Sequence, residues 1–260
     1  MSKSAKEGLV KGACRPDVTR NHFELSLIGV PTNSSGRSGG VAREPTALRN
    51  AGLLSALGQV CHLQDKCDVS IRWPTTKRDS ASGIIAYTSL ASMIRGVRAH
   101  VARDLGAGRF PLVIGGDCPV LLGCLAASVE RYPTGLVFVD GHEDAYPPHK
   151  SPTGEAADME LGLALSHELP ELIRKAVGSV PLLDSSQICM LGPRDKKTLE
   201  ETEIQSLDDG TIVFHDDESL RKADIEALAG RAARRLARQV GRLWLHVDLD
   251  VLSTPVTPCR

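Results

Sequence analysis

Leu136-Val137-Phe138-Val139-Asp140-Gly141-His142-Glu143-Asp144 reads as a short buried strand running directly into a cluster of charge. Four consecutive apolar residues without alternation fit a strand covered on both faces. In the charged part, Asp140, His142 and Asp144 recur at every second position. Extended backbone sends residues two apart to the same side, so these three can face one centre. Glu143 has the opposite phase and is expected to point away as a solvated charge. Two carboxylates with one imidazole suit Mn²⁺ or Mg²⁺ better than a thiolate-seeking metal.

Two other runs end in the same way. Phe110–Ile114 leads into Gly115-Gly116-Asp117-Cys118-Pro119, and Leu243–Val247 leads into Asp248-Leu249-Asp250. In an open parallel sheet, ligands sit beyond the carboxyl ends of the strands. If the three strands are parallel neighbours, Asp140, Asp144, Asp248 and Asp250 share one small volume. Crowded carboxylates resist ionisation unless a cation neutralises them. A pair of divalent ions does so, and can also lower the pKa of a bridging water. Each motif has a plainer reading. An Asp after a strand often serves a turn or a helix cap, the paired glycines permit a tight turn, and Cys118 reads equally well as a buried thiol or as a ligand. His246, two residues before Asp248, falls at a position that lines the same site. His149 lies in the long loop His142–Glu155 and is a candidate proton carrier. The other histidines read as surface or satisfied core residues.

Outward from these motifs, aliphatic runs alternate with helical patterns. Strands are expected at Leu25–Val30, Gln187–Leu191 and Thr211–Phe214. Helices are expected at Glu44–Leu57, Gly83–Leu105, Pro119–Val129, Asp158–Ser166, after Pro170, and as one long element over Ser219–Gln239, while Arg72–Ser82 is polar and reads as a loop. This order predicts an α/β fold, a three-layer α-β-α sandwich around a mostly parallel sheet. No internal repeat or linker divides it, so residues 23–260 read as a single domain and 1–22 as a flexible tail.

Composition sets further bounds. Hydrophobic residues make up 42% of the 260, enough for a core, and aromatics only 3%, which leaves no stacking platform for single-stranded nucleic acid. A net charge of −1 gives no electrostatic case for nucleic acid or an anionic membrane as partner. Seven scattered cysteines without a CxxC pair read as reduced thiols of a cytoplasmic protein. No apolar run approaches the roughly 20 residues of a membrane span, and the first residues carry no hydrophobic signal segment.

The motifs resemble those of the ureohydrolases: arginase, agmatinase, formiminoglutamase and their relatives. Ile28-Gly29-Val30-Pro31, Gly39 to Pro45 and Leu48-Arg49 are similar to the family's first strand, loop and helix. Gly115 to Pro119, Asp140 to Asp144 and Asp248 to Asp250 are similar to its three metal motifs in order. The resemblance implies an eight-stranded parallel sheet, a trimeric or hexameric homo-oligomer and two Mn²⁺ per chain. It also implies hydrolysis of a C–N bond in a small guanidino, amidino or formimino compound by a metal-bridging hydroxide. Carried over by motif, Asp140 and Asp248 bridge both ions. Asp144 and Cys118 complete one ion, His142 and Asp250 the other, with Asp144 and His142 as the candidate catalytic residues. Glu155 and Asp158, in the run that follows the second motif, and His149 are the candidate substrate-binding residues.

The chain departs from the pattern in four places. Cys118 stands where the family has a His, and a softer thiolate binds Mn²⁺ less readily. Ser253-Thr254-Pro255 replaces an Asp-Pro. Thr153 to Asp158 lacks a His that arginases carry, so arginine specificity is not implied. Family members also continue beyond the last motif with a strand, helices and a substrate-binding Glu, so the domain is expected to be C-terminally incomplete, with a strand edge left uncovered. Two competing readings follow. One is a catalytically impaired family member acting as a structural or regulatory subunit. The other is a cysteine enzyme whose Cys118 thiol is activated by the helix that follows it.

Overall fold

Among the described residues, seven parallel strands carry the fold, and they divide into two sheets. The computed structural model describes residues 24–71 and 75–252. The expected tail, Ser253-Thr254-Pro255 and part of the Arg72–Ser82 loop lie outside the described residues. The strands are β1 (Glu24–Val30), β2 (His62–Asp65), β3 (Phe110–Gly115), β4 (Thr134–Val139), β5 (Ile188–Leu191), β6 (Val213–His215) and β7 (Arg242–Val247). One sheet has the order β2-β1-β3 and the other β6-β5-β4-β7. Every ladder in them is parallel.

The helices are α1 (Glu44–Asn50), α2 (Leu53–Gly58), α3 (Tyr87–Gly106), α4 (Val120–Val129), α5 (Glu160–Leu165), α6 (Glu171–Val177), α7 (Lys196–Glu201), α8 (Asp217–Arg221) and α9 (Ile225–Ala237). They cover the four-stranded sheet on both faces, which makes the three-layer sandwich. The period of two along β4 shows this directly. Leu136 and Phe138 face the main core with α3, α4 and α6. Val137 faces a smaller cluster built on Cys189, Ala232 and Leu236 under α9. α4 is apolar all round, Val120 to Ser128 being buried, and packs between α3 and the sheet.

Several boundaries differ from those the sequence predicts, each for a local reason. The helix expected over Glu44–Leu57 breaks at Gly52, whose φ of +97° an α-helix cannot hold. The helix expected from Gly83 begins at Tyr87, because Ala86 sits in the left-handed region at φ +53°. The element expected over Ser219–Gln239 is two helices, each with its own cap. Asp216 accepts from Ser219 N at 2.8 Å and Asp224 accepts from Ala227 N at 3.0 Å. β2 and α7 are not evident in the sequence: β2 is a short, polar edge strand and α7 a single exposed turn and a half. The expected single sheet is interrupted, since among the described residues β3 pairs with β1 and β7 with β4, and the two do not pair with each other.

Candidate metal centre

The strand ends deliver the motifs to one place. Past β3, the chain must turn tightly against the β1 loop. A Cβ on Gly116 would stand 2.1 Å from Thr32 O and 2.9 Å from Val41 O, so only glycine fits. The next residue, Asp117, accepts from Ser34 N at 2.6 Å and pins this turn. Cys118 then reaches across to the end of β7, its thiol donating to Asp248 Oδ2 at 2.8 Å. Past β4, Asp140 is buried; its amide donates to Leu191 O at 3.1 Å and its Oδ1 accepts from His142 N at 2.9 Å. His142 Nδ1 lies 2.8 Å from Asp250 Oδ2, and Asp250 Oδ1 accepts from Gly141 N at 3.0 Å. The chain ends of β4 and β7 are thus laced together. Asp248 is itself engaged twice, by Cys118 and by Asp250 N at 2.7 Å.

Two groups of side chains bring donor atoms within 4.8 Å of one another and could hold a metal ion. One is Asp140, His142 and Asp250; the other is Cys118, Asp140, Glu160 and His246. Asp140 belongs to both. Asp144 and Asp248, expected as ligands, fall outside both groups, although Asp144 is buried beside Glu160. Asp144 takes a left-handed conformation, φ +44°, which Asp tolerates better than most residues. In it, Asp144 O accepts from Leu161 N at 3.0 Å and Gly162 N at 3.2 Å, docking the first turn of α5 and setting Glu160 into the cluster.

The electrostatics are those of a crowded acidic site. Burial, then the neighbouring Asp140, holds the Asp144 carboxyl well above the usual carboxylate range. Burial, then Asp144 and Asp140, does the same to Glu160. Burial, followed by the charges of Glu160, Asp248, Asp144 and Asp117, pushes the Cys118 thiol well up. That is opposite to the thiol activation a cysteine nucleophile needs. His142 is raised by its bond to Asp250. For Asp250, burial acts upward, but the bond and charge of His142 outweigh it and leave its carboxyl below the usual range.

The other expected residues sit as follows. His246 Nε2 is 3.7 Å from Asp140 Oδ2, and its ring stacks on Phe138 at 4.7 Å, so it does face the cluster. Asp158 is held by the hydroxyls of Ser151 at 2.9 Å and Thr153 at 2.6 Å, and organises its loop. Glu155 is half-buried and His149 exposed, and neither belongs to a donor group. A cleft of about 380 Å³ lies next to this loop, lined by Thr32, Asn33, Ser34, Arg37 and Ala156. Glu143 points away from the cluster as its phase requires, but it is not solvated. It is 1% exposed and accepts from Ser206 Oγ and Leu207 N, both at 2.6 Å. The loop after α7 folds over it, which no local pattern announces.

Three participants are not evident in the sequence. Glu160 looks like any acidic residue in a first helical turn. Asp195 accepts from Glu143 N at 3.1 Å, and Arg194 donates through its guanidinium to the Asp250 and Val251 carbonyls. Both sit just past β5, and the strand-end rule applied there would have found them.

A parallel α/β fold with carboxylates, imidazoles and a thiol gathered beyond its strand ends defines the class. Within it, the chain belongs to the arginase family, whose profile matches residues 23–259. It is 28% identical over 239 residues to an arginase of Staphylococcus aureus, covering 90% of this chain and 77% of that one. Its fold is similar to that of the arginase of Bacillus caldovelox, with a TM-score of 0.77 at 24% identity over 90% of this chain and 78% of that one. It is also similar to the formimidoylglutamase of Bacillus subtilis, with a TM-score of 0.66 at 16% identity over 97% and 77% of the two chains.

Proposed function

We propose that this protein is a metal-dependent hydrolase that cleaves a C–N bond in a small guanidino, amidino or formimino compound. The observation that carries the reading is the convergence of the ends of β3, β4 and β7, tied by the Cys118–Asp248 and His142–Asp250 contacts at 2.8 Å each. The two donor groups fit the two Mn²⁺ ions that the resemblance implies unequally. Asp140, His142 and Asp250 are oxygen and imidazole donors and fit such an ion. The other group contains a thiol and fits it less well. Bound there, divalent ions would supply an activated water as nucleophile and would neutralise charge built up in the transition state.

The chain's own residues supply the rest. Asp140 and Asp250 offer anionic oxygens toward the ions, and Asp250 orients the His142 ring through Nδ1. His142 is half-exposed, with 48% of its side chain accessible, and is the group able to carry a proton between the centre and solvent. Asp144 and Glu160, buried against each other, hold a proton close to the centre. Glu155, Asp158 and His149 remain the candidate substrate-binding residues; their loop reaches the cleft through Ala156.

The test is an assay of the purified chain with Mn²⁺ against arginine, agmatine, formiminoglutamate and related amidines. Urea, ammonia or formamide release that His142→Ala abolishes supports the reading. No release from any of them, with the ions bound, overturns it. Cys118 at a ligand position favours a second reading, an impaired family member serving as a subunit, which predicts a stable homo-oligomer with less than two Mn²⁺ per chain. The free thiols Cys61, Cys67, Cys118, Cys124 and Cys189 support a cytoplasmic location. No helix among the described residues is long and apolar enough to cross a membrane.

A further inference from the structure

Cys118, Asp140, Glu160 and His246 converge from four different elements: the turn after β3, the end of β4, the first turn of α5 and β7. Each presents one donor atom, all within 4.8 Å of one another. Asp140 and Glu160 are fully buried, and the His246 side chain is 10% exposed. Asp140 Oδ2, both Glu160 carboxylate oxygens and His246 Nε2 are buried without a hydrogen-bond partner. Buried polar atoms are ordinarily paired, and an unpaired buried carboxylate is among the costliest groups a fold can carry. Here several such atoms face the same point, and the one species that satisfies carboxylate, imidazole and thiol together is a cation.

We propose that these four side chains form a closed site for one zinc-type divalent cation, sharing only Asp140 with the Asp140–His142–Asp250 group and differing from it in metal preference. One sulfur, one nitrogen and two carboxylate oxygens make a four-ligand set of mixed softness. That set suits Zn²⁺, which accepts thiolate, imidazole and carboxylate in a tetrahedron, better than Mn²⁺. It also differs from the set that the family resemblance implies for the ion at Cys118, which would be Asp140, Asp144 and Asp248. Both carboxylate oxygens of Asp248 accept hydrogen bonds, Oδ2 from Cys118 at 2.8 Å and Oδ1 from Asp250 N at 2.7 Å, whereas Glu160 and His246 have buried donor atoms without a hydrogen bond. His246 is pre-oriented, its ring lying 12° from parallel on Phe138, and Glu160 is fixed by the Asp144 carbonyl that receives the α5 amides. Binding exchanges two protons for the ion, the Cys118 thiol proton, now on the bond to Asp248, and the proton held by the Asp144–Glu160 pair: the S–H and carboxyl O–H bonds break, S–metal and O–metal bonds form, and both protons leave to solvent. No oxidant or co-reactant is needed.

The inference goes beyond the hydrolase reading, and its test needs no turnover, so either can fail while the other stands. The metal-stripped full chain is titrated with Zn²⁺ and separately with Co²⁺, with bound metal counted after dialysis. One tightly held Zn²⁺ is expected, and a cobalt form showing a thiolate-to-cobalt charge-transfer band with intense tetrahedral bands. Cys118→Ser should abolish the charge-transfer band. Glu160→Gln should weaken Zn²⁺ binding by about tenfold or more. His142→Ala should leave the band in place. A cobalt spectrum of the unmutated chain without a thiolate band would falsify the proposal, and that measurement depends on no variant folding. Zinc binding that survives Glu160→Gln at full strength but is lost in His142→Ala would overturn it as well.

Discussion

Glu160 and Asp144 show how much a residue's meaning depends on its neighbours. Both carboxyls are held well above their ordinary range, by burial first and by each other and Asp140 next. An unfolded chain would release these protons near pH 4. The metal-free native chain keeps them to higher pH, so above that range it binds more protons than the unfolded chain. Their contribution to stability is complete below the unfolded values and is lost as pH rises through the raised native ones. Chelator-treated protein should therefore melt at a lower temperature at about pH 8 than at about pH 5, and divalent metal should flatten that slope. A melting temperature of the stripped protein that climbs steadily across this window contradicts the account. Glu143 is a second case, one charge whose work is structural. Glu143→Ala removes two short bonds to Ser206 and Leu207 and should cost about 2 kcal/mol in denaturant unfolding. Metal content should not change, and a loss of bound metal would instead place Glu143 in the centre.

At the scale of elements, the strand ends were legible and the helix boundaries were not. Asp140-Gly141-His142 and Asp248-Leu249-Asp250 stand out because a run of apolar residues stops abruptly at charge. The α8–α9 break hides inside a continuous amphipathic pattern, because Asp224 is only one more polar residue until its side chain is seen on Ala227 N. Asp224→Ala removes that cap and should destabilise the protein by about 1 kcal/mol. An unchanged unfolding midpoint would mean that α9 is held by its packing on Cys189 and Leu243 alone. β2 and α7 are hidden in the sequence for the same reason: short exposed elements owe their form to a neighbour's edge and carry little periodicity of their own.

Over the whole molecule, the two sheets meet through helices and through the Cys118–Asp248 contact, without a ladder between β3 and β7 among the described residues. β7 carries Leu245 at 63% and Val247 at 53% exposure, on the same face as Leu243, which packs under α9. Exposed apolar residues on a strand with one paired neighbour favour association. Leu245→Lys should lower the apparent mass in light scattering at high protein concentration, while changing stability by less than about 0.5 kcal/mol. If the mass stays constant, association proceeds through another surface.

The order of apolar runs and charged strand ends was enough to determine the α/β class, the three motifs, and the family to which they belong. These are local properties: burial of a strand on both faces demands a continuous apolar run, and a site beyond its end demands an abrupt change to polar residues. Which donors share a point is not local. Glu160 enters through the first turn of α5, docked on Asp144 O. His246 enters by stacking on Phe138, and Asp248 Oδ2 is joined to the Cys118 thiol at 2.8 Å. The distances between side chains from four separate elements depend on how those elements pack, so only the tertiary structure could decide which of the chemically eligible residues face one another.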